Sequence, residues 1–246
     1  MNYLIEGNGI PCFVIGSAIY YPRTFSQDLR KHFKFIFLDI RGFAVSDKPY
    51  DLEDITLDTI LDDIEQIRQT LNIPKICVLG HSIVGLIALE YARKYPQHVS
   101  HVIVIGTPPN GMRANLKAAR RHWKDNASDD RKELMNSINE KQDIQKLSKL
   151  SPGDIFINTY ITNGPLYWYD PSYDCSLLWK DIKIDAKIVG KIEGIFFKNY
   201  DIAQGSDTIT MPVFIAIGKY DFMVPHYQWD SEIEKLPGLS YFLFEK

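Results

Sequence analysis

Short apolar, β-branched runs recur at Cys12–Ile15, Phe35–Asp39, Ile76–Gly80, Val102–Gly106, Val213–Gly218 and Tyr241–Phe244, each beside Gly, Pro or polar residues. This pattern predicts strands. The runs are apolar on both alternating sets of positions, as strands are when both faces of a parallel sheet are covered by helices. Between the runs the period changes. Thr56–Leu71 carries Leu57, Ile60, Leu61, Ile64, Ile67 and Leu71 on one stripe opposite acidic residues, with Pro74 just beyond, and predicts a helix. Ile83–Tyr95 predicts a second helix, stopped by Pro96. Strand and helix in alternation imply an α/β fold with right-handed crossovers and helices on both sheet faces.

The alternation breaks between Pro108 and Thr210. Charged amphipathic helices are expected over Leu116–Trp123 and Arg131–Leu150, followed by a stretch rich in rings: Phe156, Tyr160, Tyr167, Trp168, Tyr169, Tyr173 and Trp179. We read residues 1–107 and 211–246 as the α/β core and 108–210 as a mainly helical cap inserted between two strands. No repeat or low-complexity linker interrupts this organisation.

Composition narrows the function classes. The 246 residues are 45% hydrophobic and 24% charged, the proportions of a globular chain with ample core. A net charge of -3, with no basic cluster longer than Arg120–Lys124, provides no electrostatic footprint for nucleic acid. A small-molecule substrate is expected instead. The start shows no basic and then apolar leader, and no apolar run approaches the ~20 residues that span a bilayer, so no membrane partner is expected. Three cysteines without C-x-x-C spacing argue against a disulfide framework or a zinc site. A reducing cytoplasm fits, and neither metal nor cofactor is implied.

The candidate chemistry sits on Gly80-His81-Ser82-Ile83. A serine just after a strand and just before a helix can occupy a sharp turn that presents its hydroxyl at the carboxyl end of the sheet. Strand and helix approach closely there, so small neighbours are needed. Gly80 satisfies this, Val84 stands where G-x-S-x-G has its last glycine, and Gly85 follows one position later.

The surrounding segments carry a resemblance. Asp39 to Pro49 resembles the D-x-R-G-x-G-x-S-x-x-P loop of the α/β-hydrolase superfamily. The run from Gly80 through Ala88 to Pro96, then Val99 and the strand to Gly106-Thr107-Pro108-Pro109, is similar to the same superfamily, and Gly218 to Pro225 matches its G-x-x-D-x-x-x-P acid loop. The likeness spans the chain outside the cap and is nearest to capped esterases and proline-iminopeptidase-like members. It implies Ser82 as nucleophile and Asp221 as the acid that orients a histidine, in the family's chain order. It also implies an oxyanion hole of two backbone N–H groups, Ile83 and a second from the loop after the first long strand, Ser17 with Ala18 as the alternative register. Asp39, Arg41 and Ser46 are read as braces of their loop, since an Arg–carboxylate bond can order a turn.

The family's base is a histidine on a loop after the final strand, and here the chain runs from Asp221 through helix-like Tyr227–Leu236 and the strand Tyr241–Phe244 to Glu245-Lys246. His226 is read as a surface or helix-start residue, His81 as packed beneath the turn and His122 as a solvated residue on a cap helix. His32, His98 and His101 fall at helix ends or strand starts. The simplest expectation is a chain truncated before its catalytic histidine, which would leave apolar sheet surface uncovered.

What the resemblance implies is a serine hydrolase that forms an acyl-enzyme at Ser82 on an ester or amide of a small, apolar substrate. Serine in place of aspartate argues against haloalkane dehalogenase and epoxide hydrolase chemistry, whereas carbon–carbon bond hydrolases and lactonases stay open. Tyr20, Tyr160 and Trp168 are the expected pocket residues. One alternative is a proline-iminopeptidase-like aminopeptidase, with Asp154, Asp170 or Asp174 holding an amino terminus, although the HGGPG signature is absent. Another is a non-catalytic small-molecule receptor or inactive relative.

Overall fold

The computed structural model of the protein describes residues 2–43, 51–196, 200–235 and 238–245. Residues 44–49 of the Asp39–Pro49 loop, Ser46 among them, lie outside these. The sheet consists of β1 (Tyr3–Glu6), β2 (Ile10–Gly16), β3 (Phe33–Asp39), β4 (Ile76–His81), β5 (Val99–Ile105), β6 (Val213–Gly218) and β7 (Leu239–Phe244), in the order β1-β3-β2-β4-β5-β6-β7. Only β1 is antiparallel among the described strands; it pairs with β3 at the edge. Sequence pattern gave no sign of β1, because Tyr3, Leu4 and Ile5 are all exposed and show no alternation.

Side chains two apart share a sheet face, and the central strands feed two separate cores. Phe13, Ile15, Ile36, Leu38, Val78, Val102, Val104 and Ile215 face one core; Cys12, Val14, Phe35, Phe37, Cys77 and Leu79 face the other. The first core is closed by α1 (Leu57–Thr70) and α2 (Val84–Lys94). α1 starts at Thr56, whose hydroxyl accepts from Thr59 N in a capping box. α2 is buried almost throughout. The second core is packed by Tyr21 and Phe25 and is bordered by an apolar groove of about 480 Å³. Phe214, Phe242 and Phe244 are exposed on β6 and β7.

Between β5 and β6 the chain forms α3 (Met112–Asn126), α4 (Asp129–Glu140), α5 (Ile144–Leu147), α6 (Pro152–Thr162), α7 (Gly164–Tyr167), α8 (Ser176–Trp179) and α9 (Ala186–Ile195). The single helix expected over Arg131–Leu150 is thus divided. The Asp143 carboxylate accepts from Gln145 N and Lys146 N and so starts a new helix at a point where periodicity alone would continue the old one. The helix expected over Tyr227–Leu236 is corrected to two 3-10 turns, His226–Trp229 and Ile233–Lys235, with Leu236 outside the described residues. This segment is pinned by a side chain: fully buried Trp229 donates its indole N–H to Thr107 O at 2.9 Å.

Candidate active site

Ser82 occupies the bend between β4 and α2 with φ of +56°. A non-glycine residue pays steric strain in this region, and such strain collects at functional turns. Its N–H donates to Ile105 O at 2.9 Å, which fixes the bend to β5. The small residues that allow this approach are Gly80 and Gly85. A Cβ on Gly80 would lie 2.4 Å from Val84 O, and one on Gly85 would lie 2.0 Å from Thr107 Oγ1. The close contact thus falls one residue beyond the expected glycine position, and Val84 is free to line the cavity in front of Ser82.

Backbone donors converge on the same place. Ala18 N–H is committed to Asp39 Oδ1 at 2.7 Å, while the N–H groups of Ser17 and Ile83 enter no hydrogen bond with described residues. Ser17 itself is buried, and its hydroxyl accepts from Ile19 N and Tyr20 N, which shapes the loop after β2. Asp39 braces that loop through Ala18, and Arg41 forms a two-pronged bond to Asp63 on α1 at 2.6 and 3.0 Å.

Asp221 follows β6. Its Oδ1 accepts from Met223 N and Val224 N, each at 2.8 Å, so the carboxylate organises its own turn and does not cap a helix after Pro225. Burial pushes its pKa up to about 6 against the opposing pull of those two N–H groups. Oδ2 faces Gly106, 3.3 Å from where a Cβ would stand; His81 Nε2 is 3.5 Å from the same point. His81 is exposed at the cavity mouth, with Tyr21 Oη 3.4 Å from its Nδ1, and is not packed beneath the bend.

The other histidines are elsewhere. His122 is buried, not solvated: its ring packs on Phe222, His226 and Tyr227, and Asn126 lies 3.0 Å from its Nδ1. Pattern reading missed this because α3 lies against the acid loop on the face that carries His122. His226 is half-buried at the start of its 3-10 turn, and its Nδ1 is buried without a partner among the described residues. Neither lines the cavity, nor do His32, His98 or His101. Among the described residues the Ser82 hydroxyl makes no side-chain hydrogen bond.

The cavity, of about 240 Å³, brings together Ser82, Ile83, Ser17 and Asp221 with Tyr20, Tyr160 and Trp168. The rings also pack on one another, so they serve as insertion core and cavity wall alike: Tyr20 lies 4.7 Å from Trp179, and Tyr160 stacks 5.1 Å from Tyr167. Asp154, Asp170 and Asp174 do not reach it; they bond to Ser151, Ser172 and Ser176 in their own turns. The insertion's carboxylate at the cavity is Glu193 of α9, which the sequence reading passed over. The available signal was its place three and four residues after Gly190 and Val189, beside Ile192, on the buried stripe of the helix. Among the described residues no group of three or more His, Cys, Asp and Glu side chains could hold a metal, and no helix is long and apolar enough to cross a membrane.

Residues 8–151 match the family model for the alpha/beta hydrolase fold. The chain belongs to the α/β-hydrolase family. It is 34% identical to the AB hydrolase superfamily protein YclE of Bacillus subtilis (strain 168), over all of this chain and 87% of that protein. It is 26% identical to the proline iminopeptidase of Saccharolobus solfataricus, over 76% of this chain and 60% of that enzyme. Among solved structures, an alpha/beta fold family hydrolase from Bacillus anthracis str. Sterne superposes with a TM-score of 0.70 at 20% identity, covering 99% of this chain and 86% of that one. These three relatives are α/β-fold hydrolases or peptidases by name, and the match places this chain among the hydrolases of that family.

Proposed function

We propose that this α/β-hydrolase is a serine hydrolase that cleaves an ester or amide of a small, mainly apolar substrate through an acyl-enzyme at Ser82. The observation that carries the reading is the strained φ of Ser82, which presents a hydroxyl into an aromatic cavity beside two uncommitted backbone N–H groups. In this reading Ser82 Oγ attacks the carbonyl carbon while its proton passes to a histidine base and on to the alcohol or amine that departs as the ester or amide bond breaks. Ile83 and Ser17 N–H bind the developing oxyanion, a contribution typically worth about 10²–10³ in rate per donor. Asp221 holds an imidazolium through Oδ2 while Met223 and Val224 keep its other oxygen still. Residues 1–107 and 211–246 form the catalytic core, and 108–210 act as a cap that excludes water. Buried free thiols at Cys12, Cys77 and Cys175 suit a reducing cytoplasm.

A receptor without turnover is the second reading, favoured by the absence of a described histidine bonded to Ser82. A fluorophosphonate separates the two. The hydrolase reading expects covalent modification at Ser82, located by peptide mass spectrometry and lost in Ser82→Ala; a protein that binds ligand yet leaves Ser82 unmodified would be a receptor.

A further inference from the structure

Glu193 breaks the rule of its own helix. Val189, Ile192 and Glu193 stand at positions i, i+3 and i+4 of α9, so they share a face. Val189 and Ile192 are buried and line the cavity, and Glu193 lines it with them. A carboxyl on an apolar stripe is costly unless it is paired. None of the ion pairs of the described residues involves Glu193, and no described Lys or Arg lines the cavity.

Its surroundings are rings and another acid. Burial raises the Tyr160 and Tyr167 phenols, and the negative charge of Glu193 raises both further; Tyr167 also senses Asp221. Glu193 and Asp221 thus face one small cavity through a shared tyrosine. Burial also pushes Glu193 itself upward. Aromatic faces are negative, so the wall formed by Tyr160, Tyr167 and Trp168 adds to the field of two carboxyls, with no Lys or Arg among the described lining residues to offset it.

We infer that Glu193 selects substrates whose group beneath the insertion carries an alkylammonium charge, and disfavours those carrying a carboxylate there. The inference rests on the hydrolase reading for the position of the reacting bond. The cation would sit against the rings with Glu193 as its counter-charge. It would supply the pairing that no described residue gives Glu193.

Equilibrium binding, followed through the fluorescence of Trp168 and Trp179 in the cavity wall, tests this apart from turnover. The probes are choline, its neutral isostere 3,3-dimethylbutan-1-ol and the anionic 3,3-dimethylbutyrate. The expected order is choline tightest, by about tenfold over the alcohol, and the carboxylate weakest. Glu193→Gln should erase the gap between choline and alcohol, and Glu193→Asp should keep part of it. Equal binding of all three by the unaltered chain overturns the inference, as does a choline preference that survives Glu193→Gln. A choline preference together with an unlabelled Ser82 keeps the inference and removes the hydrolase reading.

Discussion

Glu65, buried on α1, and Asp221, half-buried on the loop after β6, are two carboxylates whose surroundings drive them in opposite directions. Glu65, on the inner side of α1, accepts from Arg68 Nε and Nη2 at 2.9 and 2.6 Å, from Gln69 at 3.0 Å and from Tyr91 Oη at 2.8 Å. Burial alone would raise it, but those bonds outweigh burial and pull it down to about 2. Asp221 has two backbone N–H partners on one oxygen and none among the described residues on the other, so burial prevails and pushes it up to about 6. Glu193 follows Asp221 in this respect. The framework saturates its charges, whereas the cavity leaves them wanting a partner, as sites that bind or react do.

The sharpest way to break the contrast is Asp221→Asn. If Asp221 orients a base for Ser82, the rate of fluorophosphonate labelling or ester turnover should fall on the order of 10⁴-fold with folding intact. A loss below about tenfold would place Asp221 with the bracing carboxylates. Glu65→Ala should do the reverse. Arg68 would be left buried and unpaired, at a cost of about 3–5 kcal/mol in urea unfolding, while labelling per folded molecule stays level.

The pH dependence of stability should divide the two regions by sign. Asp221 binds its proton more tightly folded than unfolded, so its contribution is full below its ordinary value of 3.8 and is lost as pH rises through about 6. Glu65 is depressed from 4.5, so its contribution is full above that value and is lost as pH falls toward about 2. Each is worth up to about 3 kcal/mol, and denaturation midpoints measured across pH should lose the upper slope in Asp221→Asn and the lower slope in Glu65→Ala. If Asp221→Asn leaves the upper slope unchanged, the raised carboxyl is another group. The smallest effect is expected of Tyr91→Phe, about 1 kcal/mol, because Arg68 and Gln69 still satisfy Glu65; a loss as large as that of Glu65→Ala would mean that the tyrosine holds the network together.

Much of this architecture was readable from local pattern. The apolar runs marked the parallel strands to within a few residues, and Pro74 and Pro96 marked the helix ends, because burial on both faces leaves a continuous signature. The edge strand β1 left none, since Tyr3, Leu4 and Ile5 are exposed. Short side-chain caps were equally silent in periodicity, and so Asp143 divided a helix that the pattern kept whole.

The site divides along the same line. Sequence by itself determined which turn carries the serine and which loop carries Asp221, because a strained bend and a self-capping acid turn need particular residues at fixed spacing. Only the tertiary structure decided that Gly85 and not residue 84 meets Thr107, that Ala18 N–H belongs to Asp39 while Ser17 N–H does not, and that His122 is buried. It also decided that Glu193, rather than Asp154, Asp170 or Asp174, is the insertion's acid at the cavity. Those outcomes depend on which helix face lands on which loop, a packing choice made across long sequence separations that no local spacing records.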